Sequence, residues 1–156
     1  MKRDFTQRFG FLVNDVAKLY GQQFDRLARK RIGLSRAQCR VLGALAMRGD
    51  EQPLSQVELA QRLDLSAMAV GSLCDRLEAA GWLRREPSSS DRRVNRVHLA
   101  PSAEKALDAA LTISDSLHAR ALAAFTSAER AQLLALLGKA RQGLMALDLE
   151  DAEQAR

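Results

Sequence analysis

Proline placement constrains this chain more than any other feature. All three prolines, Pro53, Pro87 and Pro101, fall in the middle third of the 156 residues. Proline removes a backbone donor and clashes with the preceding turn, so it breaks helices. The 52 residues before Pro53 and the 55 after Pro101 contain no such breaker. Both flanks show helical periodicity. Over residues 6–32, Phe9, Leu12, Val13, Val16, Leu19, Tyr20, Phe24 and Leu27 recur at helical spacing, predicting one long amphipathic helix ended by Gly33. Ser35 with Gln38 forms a capping box and opens a second helix with Leu42, Leu45 and Ala46 inward, closed at Gly49. After Pro101-Ser102, Ala106, Leu107, Ala110, Leu111, Leu117, Ala121 and Leu122 line a helix to about residue 124. Thr126 with Glu129 caps a last helix through Leu133, Leu134, Leu137, Ala140, Leu144 and Leu147.

Between the flanks the period changes. Ser55 with Glu58 is another capping box, starting a short helix through Leu59, Ala60 and Leu63. Asp64-Leu65 leaves a tight connection to Ser66, the N-cap of a helix that runs to Ala80 and stops at Gly81. Two short helices so joined form a helix-turn-helix unit. Trp82–Arg85 reads as a strand, Glu86–Arg93 as a loop of turn formers, and Arg96–Leu99 alternates as a half-buried strand should. Helix-turn-helix followed by hairpin is a winged helix. Its second helix enters a DNA major groove, and its loop reaches the adjacent minor groove.

The expected fold is therefore mainly α: a winged helix-turn-helix over 35–100 with a small β-hairpin wing. Helices at 5–33 and 102–147 flank it, an acidic tail occupies 148–156, and the length predicts a single domain. The flanking helices carry more apolar face than a winged helix of this size can bury. Exposed faces of that extent mark interfaces, so they are expected to be dimerisation helices burying more than about 2,000 Å².

Net charge of +5 favours polyanionic partners, and its placement sharpens the point. From Arg26 to Gly49 there are seven basic residues and no acid; from Arg84 to His98 there are five arginines against Glu86 and Asp91. Both clusters suit phosphate neutralisation. Apolar residues make up 47% of the chain, which excludes a disordered one, yet no run approaches a membrane span and the N-terminus leads into no signal peptide. A cytoplasmic protein is expected. Two cysteines make no disulfide scaffold, His98 and His118 lack metal-ligand spacing, and no nucleophile motif or phosphate loop appears. No cofactor, metal or catalytic residue is expected, and the protein is not read as an enzyme.

The chain resembles the MarR (multiple antibiotic resistance regulator) family over roughly residues 5–145. The matching stretches are Leu34–Leu42, the Leu59-Ala60…Leu63 helix, Asp75–Leu83, and most specifically Ser90-Asp91-Arg92-Arg93-Val94-Asn95-Arg96-Val97-His98-Leu99, which looks like the family's wing signature. The wing and caps lean toward its SlyA-like branch. The resemblance implies a homodimeric regulator of double-stranded DNA, usually a repressor, whose terminal helices intertwine. It also implies a pseudo-palindromic operator released by a phenolic or anionic small molecule. A nonspecific or architectural DNA-binding protein is the alternative.

By the same resemblance Arg93, braced by Asp91, matches the family's minor-groove arginine, and Arg92 is its neighbour on the wing. The outward face of the recognition helix is expected to be Ser66, Ala67, Met68, Gly71, Ser72 and Arg76, with Val70, Leu73 and Leu77 inward. Relatives often carry threonine and arginine where this chain has Gly71 and Ser72. Arg36, Gln38, Ser55 and Gln56 sit at helix N-termini, where backbone N–H groups hold phosphate. An effector cavity is expected where the helices around residues 10–45 meet the winged region, with Arg40 or Arg84 receiving a carboxylate. Cys39, next to Arg40 in a first helical turn, could have a lowered thiol pKa, but it also lies three residues before Leu42 on the edge of the buried stripe, so a redox role is not expected.

Overall fold

The computed structural model describes residues 3–48, 53–88 and 94–154, with backbone alone for 148–154. Helix α1 (Phe9–Ile32) ends on Gly33 at φ 70°, a left-handed turn that favours glycine. Helix α2 (Arg36–Ala46) opens on the predicted capping box. Ser35 Oγ accepts from the Gln38 N–H at 3.2 Å, and Gln38 Oε1 accepts from the Ser35 N–H at 2.9 Å. It closes earlier than expected, with Met47 as cap; Gly49 lies outside the described residues.

A two-residue strand, β1 (Leu54–Ser55), follows and leads directly into α3 (Gln56–Leu63), capped by Ser55 and Glu58 as predicted. Asp64 turns the chain in the left-handed region at φ 53°. Among non-glycine residues aspartate is one of the few that tolerate this, so the link to α4 (Ala67–Ala79) stays short. Strands β2 (Leu83–Pro87) and β3 (Asn95–Leu99) then form the wing hairpin. Antiparallel pairing joins all three strands in the order β1-β3-β2, with Leu54 opposite Val97 and Leu83 opposite Leu99. Sequence pattern did not reveal β1, because two residues are too few to show alternation; pairing with β3 alone defines it.

Contacts group the chain into two compact units, 1–117 and 118–156. The first contains the core, in which Val41, Leu42, Leu59, Val70, Leu77, Leu83, Val97 and Ile113 are almost fully buried. Ile113 comes from α5 (Ala103–Ala121). In contrast, the N-terminal half of α1 is bare: Leu12, Val16 and Leu19 are 42%, 63% and 53% exposed. In the second unit, α6 (Ser127–Gln154) begins on the predicted Thr126–Glu129 box. None of its described side chains is buried, and its backbone stays helical through the segment read as a tail, as far as Gln154.

Candidate nucleic-acid interface

Helix α4 has two unlike faces. Val70, Leu73, Cys74 and Leu77 are buried, which fixes its rotation against the core. The opposite face presents Ala67, Met68, Ser72 and Arg76 to solvent, with Gly71 half-buried. Ser66 caps the start, its Oγ accepting from the Ala69 N–H at 3.2 Å. All six expected recognition residues thus lie on the cap or off the core. Arg76 folds back on its own helix: its Nε donates to the Ser72 carbonyl at 3.1 Å and its Nη2 to Ser72 Oγ at 3.4 Å. Among the described residues a Cβ on Gly71 would meet only Gln56 Nε2, at an ordinary 3.7 Å. Packing within the fold therefore does not demand glycine there, although it costs a helix about 1 kcal/mol relative to alanine.

The wing is bolted to α4 by one arginine. Arg85 shares a sheet face with Leu83, Val97 and Leu99, the face turned to the core, so its charge needs partners there. Glu78 and Asp75 of α4 supply them. Arg85 Nε donates to Glu78 Oε2 at 2.8 Å, its backbone N–H to Glu78 Oε1 at 2.9 Å, and Nη1 lies 2.8 Å from Asp75 Oδ1. The guanidinium holds the Glu78 carboxyl below its ordinary range, and Glu78 in turn raises the Arg85 pKa. On the other sheet face Arg84 pairs with Glu86, two residues along the strand. His98, opposite Arg84, has its pKa lowered by burial and then by that arginine. Arg96 Nη1 donates to Glu58 Oε2 at 3.0 Å and to the Pro53 carbonyl at 3.2 Å. Three of the five arginines in the wing cluster are thus held within the fold, a use their sequence density does not disclose. Asp91, Arg92 and Arg93 lie outside the described residues.

The four expected phosphate residues lie at the starts of two helices, Arg36 and Gln38 at α2 and Ser55 and Gln56 at α3. Gln56 sits half-buried beside α4, with Ser55 behind it, only 7% exposed and capping α3. Arg36 belongs to the α1–α2 junction, where its backbone N–H donates to Asp25 Oδ1 at 2.7 Å and its guanidinium packs on Gly21. The Gln38 side chain is spent on its capping box.

Arg40 and Arg84 do not converge. Arg40 Nη2 donates to the Leu63 carbonyl at 2.7 Å, closing the end of α3. It also lines a cavity of about 350 Å³ with Tyr20, Phe24, Arg36, Leu111 and Ser114, and a Tyr20–Ser114 hydroxyl pair at 2.8 Å joins α1 to α5 there. Arg84 lines a separate cavity of about 240 Å³ with Arg48 and His98. The Cys39 thiol pKa is raised, in keeping with its place on the edge of the buried stripe. Burial, and then the charge of Asp25, push it up to about 11. Burial raises Cys74 as well.

A helix-turn-helix with a strand-bolted hairpin and an outward second helix is a winged helix. The comparisons agree with that class. Residues 32–94 match the model of the MarR family. Two curated relatives extend the likeness along the chain. The uncharacterized HTH-type transcriptional regulator YpoP of Bacillus subtilis is 30% identical over 82% of this chain and 87% of its own. The HTH-type transcriptional regulator PecS of Dickeya dadantii is 28% identical over 85% and 80%. Among solved structures, the Staphylococcus aureus MepR–DNA complex superposes with a TM-score of 0.69 at 21% identity, over 86% of this chain and 97% of that one. PcaV of Streptomyces coelicolor, in complex with its natural ligand, gives 0.70 at 17% identity, over 91% and 97%. The chain belongs to the MarR family. It is a DNA-binding transcriptional regulator, not an enzyme. Among the described residues no helix is long and apolar enough to cross a membrane.

Proposed function

We propose that the protein is a homodimeric repressor that binds a pseudo-palindromic operator and is released by a small phenolic or carboxylate ligand. The outward face of α4 carries the reading, because the core fixes the helix with Ala67, Met68, Ser72 and Arg76 on the solvent side. Asp91, Arg92 and Arg93, which lie between β2 and β3 in the sequence, are the proposed minor-groove contacts. Gln56 and Ser55 would steady a phosphate beside α4, and Arg36 and Gln38 one farther off. The bare apolar faces of α1 and α6 support dimerisation, since a soluble monomer rarely leaves so many leucines in water. The cavity lined by Tyr20, Phe24 and Arg40 supports a ligand with an aromatic body and an acidic group. MepR was solved on DNA and PcaV with a natural ligand, which favours both halves of the proposal.

Footprinting the purified protein on its own genomic neighbourhood, with and without salicylate-like acids, tests this. One protected palindrome with half-sites about one helical turn apart, lost on adding ligand, is expected. Equal affinity for all sequences would instead indicate an architectural DNA-binding protein.

A further inference from the structure

We propose that Met68 is a specificity-determining residue and reads thymine C5-methyl groups in the major groove. This rests on the DNA-binding reading above. Met68 is 85% exposed, the most exposed large apolar side chain among the described residues. Among the described residues the fold leaves it unburied, because α4 meets the core through Val70, Leu73, Cys74 and Leu77. It is the second residue of α4, in the turn where a recognition helix meets base edges.

Its neighbours narrow the choice of target. Ala67, Gly71 and Ser72 share that end of the helix and offer no long donor, while Arg76 is turned back onto the Ser72 carbonyl. The first turn of α4 therefore carries none of the paired donors by which arginine reads guanine, or asparagine and glutamine read adenine; Arg76 stands two turns further along, and Gln56 belongs to α3. Among major-groove edges only thymine presents an apolar group, its methyl. A flexible, polarisable thioether packs well on such a target. Small residues at 67 and 71 let the helix approach closely enough to reach it. A protein partner is the weaker occupant, since one isolated apolar side chain does not make an interface patch.

The test begins by selecting binding sites for the full-length protein from duplexes with a randomised centre. Each thymine of the selected consensus is then replaced by deoxyuridine, which keeps pairing and charge and removes only the methyl. Binding should weaken about fourfold for each contacted methyl, the value expected for one buried methyl group. Because no counterion is released, the penalty should be the same at low and high salt. Met68→Ala should abolish the deoxyuridine penalty, and Met68→Leu should keep it. Three results would each overturn the proposal: a consensus without thymine, no deoxyuridine effect, or a Met68→Ala protein with the same penalty as the parent. Failure of any duplex to enrich would remove the sequence-specific reading of α4 itself, and this proposal with it.

Discussion

Cys39 shows how environment outweighs neighbours in sequence. Arg40 follows it directly, yet the guanidinium is directed to the Leu63 carbonyl while the thiol is buried. The folded chain keeps a proton on Cys39 that the unfolded chain releases at the ordinary 9.0, up to about 11. Stability from this group is complete below 9.0 and is lost as pH rises through the folded value. The loss should be of order 2 kcal/mol. Urea titrations at pH 8 and pH 11, run beside Cys39→Ala, isolate it; an identical pH slope in both proteins would show that Cys39 contributes nothing. Thiol alkylation at pH 8 should likewise run on the order of 100-fold slower in the folded than the unfolded chain.

At the scale of elements, the contact that matters for reading DNA is the one that fixes wing to helix. Glu78 and Asp75 on α4 and Arg85 on β2 tie the two elements together by ion pairs. Glu78→Gln should cost about 1 kcal/mol, since the pair is partly exposed and screened by water. The folded Glu78 pKa is depressed, so its contribution is complete above the ordinary 4.5 and disappears as pH falls through the folded value. Thermal melts at pH 7 and pH 3.5 should therefore differ less for Glu78→Gln than for the parent. Sequence spacing had no means of showing this clamp. Asp75 and Glu78 read as ordinary helix-surface acids, and only the β2–β3 register turns Arg85 toward them.

For the whole molecule, positive charge and apolar surface each yield a prediction. Arg84, Arg85 and Arg96 already have acidic partners, so lending them to phosphate means breaking an ion pair. Arg93→Ala should reduce the salt slope of operator binding by about one unit and weaken binding at least as much as Ser72→Ala. Arg96→Ala should instead lower the melting temperature and leave the slope nearly unchanged. Binding isotherms across a salt series separate the two; a full unit lost with Arg96 would place that residue on phosphate. Leu137, 47% exposed in α6, should matter only in an assembly. Leu137→Glu should shift the sedimentation mass toward a monomer while leaving the helical signal intact, and an unaltered mass would exclude this face from the dimer interface.

Local chemistry made most of this protein legible from sequence. Proline placement bounded the helical flanks. Ser35–Gln38, Ser55–Glu58 and Thr126–Glu129 each start a helix where their spacing predicts, because a cap satisfies donors only three residues away. Alternation found β3, and the family resemblance implied that Val70, Leu73 and Leu77 face inward. Tertiary structure alone decided the rest. It made a strand of Leu54–Ser55, committed Arg84, Arg85 and Arg96 to acids in their own fold, set Arg40 and Arg84 in separate cavities, and raised rather than lowered the Cys39 pKa. Caps and periods act over one or two turns and are written in neighbouring residues. Strand partners, ion pairs and desolvation depend on groups brought together from distant parts of the chain, and no local spacing encodes them.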